Sequence, residues 1–230
     1  MNDTFRKWDE VYSQTHMTNW YPNEDIIRFC SRLIQKRLTY DRYEVHRQVG
    51  DVLDLGCGNG RHAIYFARQG FKASGIDISP QAIEWARDWA HRENVVADFR
   101  VGDVTALPYG DRSFDVIVSH GVLDHMPMAD AKKTAREAAR VLRPGGLCYL
   151  DLRSADDFEC GVGEEVAPHT FVVGEGFEAG LVQHFFDKSE VDELIEGLFE
   201  PVYIETHDTR LAPDFRQMIA RWILALRRPS

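Results

Sequence analysis

The sequence has 230 residues, of which 28% are charged, and a formal net charge of −10. That length favours a single domain, 1–230, with a sizeable core, and the acidic balance disfavours a nucleic-acid partner, because phosphate backbones are bound through lysine and arginine. The N-terminus is polar and no stretch has the long apolar run of a membrane span, so we expect a cytoplasmic protein without a membrane partner.

Residues 1–47 are predicted to form an N-terminal helical segment that covers a binding site. Five aromatic residues lie close together near its start: Phe5, Trp8, Tyr12, Trp20 and Tyr21. This density suits a lid, with the last three rings facing the site, although rings that merely pack on a sheet would give the same pattern. A helix is predicted over 24–37, with Asn23 as its cap and apolar residues at helical spacing.

The next predicted element is a short buried strand that ends in a glycine-rich loop. Residues 51–60 read DVLDLGCGNG, and the loop contains Gly56, Gly58 and Gly60, which allow a sharp turn and the close approach of a ligand. A dinucleotide fingerprint that starts at Gly56 needs a small residue at position 61, where this chain has Arg61. Asp54 precedes the glycines, and a carboxylate there suits a ligand with an ammonium group better than a pyrophosphate. The loop therefore predicts a ligand site and weakens the case for a dinucleotide.

Three further strands are predicted, over 71–76, 98–101 and 114–119. Polar side chains mark where they end: Asp77, where an acid can accept both hydroxyls of a ribose, then Asp103 and Ser119. Helical segments alternate with these strands, which indicates a parallel sheet covered on both faces. Ligands bind such sheets at the carboxyl ends of the strands, so these polar residues are expected to lie around one cleft.

The second half of the chain begins with a predicted helix over 128–142, followed by the helix-ending sequence RPGG. A fifth strand is predicted over 147–152. Residues 153–186 are acidic and glycine-rich, and two short apolar runs, 170–173 and 181–186, can pair as a hairpin. We therefore treat 153–186 as an insertion after the fifth strand.

The chain ends with a predicted helix and two predicted strands. Asp187 or Ser189 should cap the helix, which should end near Leu198, with Ser189 and Asp192 as a pair similar to a capping box. A sixth strand is predicted over 200–208. Residues 216–227 fit a seventh strand, but a helix fits the same apolar residues, and periodicity does not decide between the two.

Five passages, in chain order, resemble class I S-adenosylmethionine-dependent methyltransferases. They are the D-x-G-x-G-x-G run from Asp54, the acid Asp77, the loop GDV that contains Asp103, LPYGDRSFDVIVSHGVLDHM, and RVLRPGGLCYLDL. The resemblance is strong over 51–152. It implies an α/β fold with a Rossmann-like, seven-stranded, mostly parallel sheet, helices on both faces and an antiparallel last strand. It also implies a lid at the N-terminus and acceptor specificity in the 153–186 insertion.

The resemblance further implies S-adenosyl-L-methionine as the cofactor. In this family the acid of the third loop receives the adenine amino group, and the acid after the second strand binds the ribose. The cofactor-binding residues expected here are Asp54, Gly56, Gly58, Gly60, Asp77, Ile78, Asp103, Val104, Ser119, Tyr12 and Trp20. The three carboxylates among them are expected to converge on one cleft.

Methyl transfer is an in-line displacement that needs an aligned acceptor in a dry site, and a base helps when the acceptor is a hydroxyl. The candidate bases are His120, His169 and His184, although a structural role is also compatible with each. His125 is expected to play a supporting role, because VLDHM resembles text in relatives with unrelated acceptors. Neither the histidines nor the four cysteines show metal-ligand spacing, so no metal is expected.

The sequence SHGV that ends the fourth strand departs from the N/D-P-P-Y pattern of methyltransferases that act on adenine or on glutamine amides. The resemblance therefore implies a small-molecule acceptor, first a hydroxyl of a sugar or secondary metabolite, and second an amine. Two alternatives stay open: a nucleotide-dependent oxidoreductase on the same sheet, and a cofactor-binding protein without turnover. We expect a monomer or homodimer.

Overall fold

The computed structural model describes residues 3–13, 19–212 and 217–230, with side chains from residue 6 onward. The helices are α1 (Asp3–Ser13), α2 (Glu24–Leu33), α3 (Arg61–Arg68), α4 (Pro80–Arg92), α5 (Met128–Val141) and α6 (Lys188–Ile195). The strands are β1 (Gln35–Arg37), β2 (Tyr43–Val45), β3 (Asp51–Leu55), β4 (Lys72–Asp77), β5 (Ala97–Val101), β6 (Phe114–Ser119), β7 (Leu142–Arg153), β8 (Glu164–Ala167), β9 (Thr170–Val172), β10 (Val182–His184), β11 (Glu200–Arg210) and β12 (Met218–Arg227). No helix in these described ranges is long and apolar enough to cross a membrane.

Seven strands form the central sheet, in the order β11-β12-β7-β6-β3-β4-β5. The pairs among β3 to β7 are parallel, and β12 runs antiparallel to both of its neighbours, β7 and β11. The predicted Rossmann-like sheet with an antiparallel last strand is therefore confirmed. The order reverses direction between β3 and β6, where the crevice for ligands in such sheets opens.

Helices cover both faces of this sheet, because alternate side chains of each strand point to opposite sides. Leu53 and Leu55 of β3 belong to one buried cluster together with α5 and α6. Val52 of the same strand belongs to a second cluster together with α2, α3 and α4. The central strands β3 and β6 are thus buried on both sides, which explains why they read as nearly continuous apolar runs in the sequence.

Two predicted elements differ in the structure. The helix predicted over 24–37 ends at Leu33, and residues 35–37 pair with residues 43–45 as a short antiparallel hairpin. The buried apolar residues of α2 stop before this point, so nothing holds Gln35–Arg37 in a helix. Asp187, one of the two predicted caps, is confirmed as the N-cap of α6, but it forms its capping box with Glu190, so the predicted pair of Ser189 and Asp192 is wrong.

Residues 218–227 form a strand, which resolves the ambiguity between helix and strand. This strand lies between β7 and β11, and its second half is a continuous buried run, from Ile223 to Leu226. Burial on both faces removes the clean alternation that would have identified a strand from the sequence. The predicted start at Arg216 lies outside the described residues, as does the side chain of Phe5.

The insertion over 153–186 contains a separate three-stranded sheet in the order β10-β9-β8. Its β9–β10 hairpin is antiparallel, with Thr170 opposite His184, as the two short apolar runs predicted. β8 adds a third strand that the sequence did not indicate, because its residues are largely exposed and have no apolar alternation. A bridge between Ser154 and Phe186 joins the two ends of the insertion.

Candidate functional site

A cavity of about 190 Å³ lies at the carboxyl ends of the parallel strands. Six of the residues predicted to bind the cofactor line it: Tyr12, Gly56, Asp77, Ile78, Asp103 and Val104. They come from α1 and from the loops after β3, β4 and β5, which are far apart in the sequence. The parallel topology therefore brings the predicted residues together at one edge of the sheet.

Asp77 is held at the bottom of the glycine-rich loop. Its Oδ2 accepts a hydrogen bond from the backbone N–H of Gly58 at 2.8 Å, and its Oδ1 accepts one from the N–H of Ser79 at 2.9 Å. Burial raises the pKa of Asp77 to about 6, although both N–H donors favour the charged form. The carboxylate is thus fixed in one orientation and keeps lone pairs for a ligand in the cavity.

Asp54 does not line the cavity; it caps α3. The N-cap residue of α3 is Gly60, which has a left-handed φ of 84° and no side chain to accept hydrogen bonds. Asp54 reaches over from β3 and accepts the N–H of Ala63 with Oδ2 at 3.1 Å. Its Oδ1 is buried without a hydrogen-bond partner among the described residues. One oxygen of this carboxylate is therefore structural, and the other is buried without a hydrogen bond within the described ranges.

His62 lies beside that unpartnered oxygen. Its Nδ1 is 3.6 Å from Oδ1 of Asp54, and only 4% of its side chain is exposed. Burial lowers the pKa of His62, more than the neighbouring Asp54 raises it. His62 is therefore a neutral imidazole at neutral pH, so the negative charge of Asp54 is not cancelled by an imidazolium.

The remaining predicted cofactor residues occupy different positions. Gly58 lies under α1, and a Cβ atom there would come 2.6 Å from the Tyr12 hydroxyl, so only glycine fits. Ser119 is buried at the end of β6, with an Oγ that has no hydrogen-bond partner among the described residues. Trp20 is not part of the cavity wall: its ring packs edge-on against Trp89 of α4, with centroids 4.7 Å apart. Its role as a cofactor-binding residue therefore stays a prediction, and the contact that the structure shows for it is with α4.

The helix α1 closes one side of the cavity. Asp9 accepts hydrogen bonds from the Ser79 hydroxyl at 2.7 Å and from the Gln81 N–H at 3.1 Å, and so docks α1 on the start of α4. On the other side, the Lys7 ammonium donates to the Gly180 carbonyl at 2.6 Å, which ties α1 to the insertion. The rings of Trp8 and Tyr12 lie between these two attachments and line the cavity.

The candidate base His120 belongs to a buried ionic network below the cavity. Its Nδ1 lies 2.8 Å from Oδ2 of Asp151, which Arg221 also contacts through Nε at 2.9 Å. A second contact from Arg221 reaches Asp124 at 2.9 Å. Burial alone would raise the pKa of Asp151, but Arg221 and His120 outweigh it and hold that pKa well below its usual range. His120 does not line the cavity, although its neighbour Gly121 does.

The candidate bases His169 and His184 lie in the small sheet of the insertion and do not line the cavity. His184 is fully buried, with Nδ1 2.8 Å from the Thr170 hydroxyl. The Nδ1 of His169 lies 2.9 Å from the Glu190 carboxylate, which raises the pKa of His169. His169, Asp187 and Glu190 are close enough to suit a metal ion, but the capping box of α6 already accounts for the proximity of the two acids.

His125, which was expected to have a supporting role, lies in the cavity wall. It lines the cavity together with Met126, Pro127 and Asp130, and its ring meets that of Trp8 edge-on with centroids 5.0 Å apart. Its Nδ1 is buried and has no hydrogen-bond partner in the described part of the chain. The sequence did point to this position, because VLDHM follows the fourth strand. His125 was nevertheless not chosen as a candidate base, because similar text occurs in relatives with unrelated acceptors.

Comparison with known proteins agrees with this geometry. Residues 52–146 match a family model described as a methyltransferase domain. The chain is 45% identical over 107 residues to 27-O-demethylrifamycin SV methyltransferase of Amycolatopsis mediterranei, an alignment that covers 45% of this chain and 39% of that protein. It is 41% identical over 108 residues to 2-methyl-6-phytyl-1,4-hydroquinone methyltransferase of Synechocystis, with 46% of this chain and 33% of that protein covered.

A solved structure shows the same fold. A protein of Methanosarcina mazei described as a SAM-dependent methyltransferase superposes with a TM-score of 0.67 at 23% identity, over 80% of this chain and 94% of that one. The curated relatives above are matched over less than half of their own length. Residues 52–146 thus match a methyltransferase domain, and the strand order and the cavity at the strand ends agree with the fold implied by the resemblance to class I S-adenosylmethionine-dependent methyltransferases.

Proposed function

We propose that the protein transfers a methyl group from S-adenosyl-L-methionine to a small-molecule acceptor. The observation that carries this proposal is one cavity whose lining includes Asp77, Asp103 and His125. The loop residues fit the cofactor: Asp54 keeps a buried oxygen without a partner, and Asp77 presents a fixed carboxylate. We propose that these two acids and Asp103 bind the ammonium, ribose and adenine groups.

The bound cofactor supplies an electrophilic methyl carbon on a good leaving group, so the chain's main task is alignment and the exclusion of water. Trp8 and Tyr12 cover the cavity from α1, and Val182 borders it from the insertion. We propose that His125 accepts the proton of a hydroxyl acceptor, because it is the candidate histidine in the wall of this cavity. His120, behind it, would support the site through Asp151.

We propose a hydroxyl of a secondary metabolite or sugar as the acceptor, with an amine as the second choice. Support comes from the names of two relatives, which describe methyltransferases for a demethylated rifamycin and for a hydroquinone. We further propose that residues 1–47 and the insertion over 153–186 select this acceptor within a single domain. We also propose that the protein is a cytoplasmic monomer or homodimer without a nucleic-acid partner. Its four unbridged cysteines suit a reducing compartment.

The direct test is to incubate the purified protein with S-adenosyl-L-methionine and a panel of hydroxyl and amine acceptors, and to detect methylated products by mass spectrometry. Parallel titrations with S-adenosylhomocysteine and with NADH separate this activity from that of a nucleotide-dependent oxidoreductase. Tight binding of NADH alone would contradict the proposal. Binding of S-adenosylhomocysteine without any product over the panel would favour a cofactor-binding protein.

The Asp77→Asn variant should bind S-adenosylhomocysteine about 10- to 100-fold more weakly, the scale of one lost charge-assisted hydrogen bond. Asparagine has one acceptor oxygen, whereas Asp77 uses both of its oxygens to accept N–H groups of the loop. Isothermal calorimetry measures the change, with Asp98→Asn on the neighbouring β5 as the control, since that exposed carboxylate pairs with Arg100 outside the cavity. Equal affinities of the two variants would show that the ribose does not bind at Asp77.

Cofactor affinity should also fall in acid. The pKa of Asp77 is raised to about 6, so below this pH the group becomes protonated and loses acceptor strength toward ribose hydroxyls. A single titrating group with this pKa predicts affinity for S-adenosylhomocysteine about 10-fold lower at pH 5 than at pH 8. Calorimetry across this range checks the slope, and the slope should vanish in Asp77→Asn. A flat profile in the wild type would exclude Asp77 from the binding step.

A further inference from the structure

We infer that Glu178 of the insertion is a positioning residue for His125, fixing its Nε2–H tautomer so that Nδ1 is free to accept the acceptor's proton. This inference rests on the proposed methyl transfer to a hydroxyl. It concerns a residue of the insertion, outside the cavity lining and outside the matched domain over 52–146. It connects the insertion over 153–186 with His125.

The two nitrogens of His125 have different surroundings. Nε2 lies 3.8 Å from Oε1 of Glu178, which is longer than a hydrogen bond but within ion-pair range. Nδ1 is buried without a hydrogen-bond partner among the described residues. A carboxylate repels the lone pair of a ring nitrogen and attracts its N–H, so the proton of the neutral ring is favoured on Nε2. Nδ1 is then left as the basic nitrogen.

Glu178 is held by the turn in which it sits. Its backbone carbonyl accepts a hydrogen bond from the N–H of Leu181 at 2.9 Å. In the same turn, the N–H of Gly180 donates to the carbonyl of Val173 at 2.7 Å. Lys7 of α1 donates to the Gly180 carbonyl from the other side. The Glu178 side chain is only 20% exposed, which limits the positions of its carboxylate. The lid and the insertion therefore hold this acid beside the histidine together.

The other groups around His125 do not replace Glu178. The ring of Trp8 packs against it and carries no charge. Asp124, the preceding residue, pairs with Arg221. Asp130 lines the same cavity but pairs with Lys133 of its own helix, at 2.8 Å. Glu178 is therefore the carboxylate in ion-pair range of the His125 ring, and it is suited to stabilise the imidazolium.

In the proposed step, the acceptor's O–H proton moves to Nδ1 of His125 while the oxygen forms a bond to the methyl carbon. The carbon–sulfur bond breaks and its electron pair stays on sulfur, which leaves a neutral thioether. The His125 imidazolium pairs with Glu178 until the proton passes to water. Atoms and charge balance without any further reactant.

The test is nitrogen NMR of the protein without ligands, labelled at its histidines, with the His125 signals assigned by their loss in His125→Gln. The wild type should show the Nε2–H tautomer at neutral pH. Glu178→Met, which removes the acceptor at similar length, should lose this preference, whereas Glu178→Gln, which retains a carbonyl oxygen, should keep most of it. Glu175→Met on the same exposed loop is the matched control and should behave as the wild type.

Two results would overturn the inference. One is an Nδ1–H tautomer in the wild type, a result that does not depend on whether any variant folds. The other is an unchanged Nε2–H preference in a folded Glu178→Met. Calorimetry with S-adenosylhomocysteine on the same samples distinguishes these results from a failure of the proposed function: absence of binding by the wild type would reject the function, whatever the tautomer.

Discussion

Replacing Arg221 with methionine is expected to lower the free energy of unfolding by about 3 kcal/mol, the lower end of the range for breaking a buried ion pair. Arg221 contacts two carboxylates, Asp151 and Asp124, each at 2.9 Å, and both side chains are only 1% exposed. Methionine fills a similar volume but leaves Asp124 without its cation and leaves Asp151 with His120 alone. The arginine itself is 22% exposed, which is why we expect the lower end of the range.

The loss in the free energy of unfolding that Arg221→Met causes should depend on pH. In the wild type the pKa of Asp151 is lowered, so its contribution to stability is present above the pKa of the unfolded chain and is lost as the pH falls through the folded value. Without Arg221, burial is opposed only by His120 and the Gly121 N–H, so the pKa of Asp151 should be higher in the variant than in the wild type, and protonation relieves the buried charge. The difference between wild type and variant should therefore be largest at neutral pH and should shrink below about pH 4, near the ordinary aspartate value.

Urea unfolding at several pH values measures both effects. Arg227→Met is the matched control, because Arg227 lies on the same strand, β12, and pairs with Glu200 while half exposed. That variant should lose only about 0–1 kcal/mol, the usual worth of a surface pair. Similar losses for the two variants, or a deficit of Arg221→Met that does not vary with pH, would show that the ionic network contributes little to stability.

Replacing His125 with glutamine is expected to reduce turnover of a hydroxyl acceptor about 100-fold or more, the contribution typical of a general base. Glutamine retains hydrogen-bonding capacity and similar size but cannot accept a proton at neutral pH. His125 lies in the cavity wall, with its Nδ1 free of partners in the described structure. Affinity for S-adenosylhomocysteine should stay near the wild-type value, because the acids Asp54, Asp77 and Asp103 are untouched.

Steady-state kinetics with the acceptor found by product screening measures this loss. His207→Gln on β11 serves as the control, because that histidine pairs with Asp25 at 3.2 Å, outside the cavity lining. His184→Gln should also retain turnover, since His184 is bonded to Thr170 within the insertion. A loss confined to His120→Gln would transfer the role of base to His120 and its partner Asp151.

Local sequence patterns were enough to place the cavity residues whose position depends only on the strand that they follow. Asp77 and Asp103 follow apolar runs, and a parallel sheet places such positions at one edge, whatever the rest of the fold does. Gly56 likewise follows from the need for a turn after β3. These positions required no knowledge of which helix packs where, so the sequence was sufficient to find them.

Other roles depend on contacts across the fold. Asp54 was expected at the ligand, but one of its oxygens replaces the cap that Gly60 lacks, a pairing set by how α3 leaves the loop. Trp20 and His184 were predicted at the site from their residue types. In the structure, Trp20 packs against Trp89 and His184 contacts Thr170, outside the cavity lining. His125 is the opposite case. Its proposed role depends on contacts with Trp8 and Glu178, which are both distant in sequence.

The hydrogen bonds of Ser79 have a consequence for the proposed binding of the cofactor. The side chain of Ser79 donates to Asp9 on α1, while its backbone N–H donates to Asp77 in the cavity. One residue thus connects the covering helix to the carboxylate that is proposed to bind the ribose, and binding linkage is reciprocal. We therefore expect that a ligand that orders Asp77 also stabilises the docking of α1, and that a variant with weakened docking of α1 binds the ligand less tightly by the same factor.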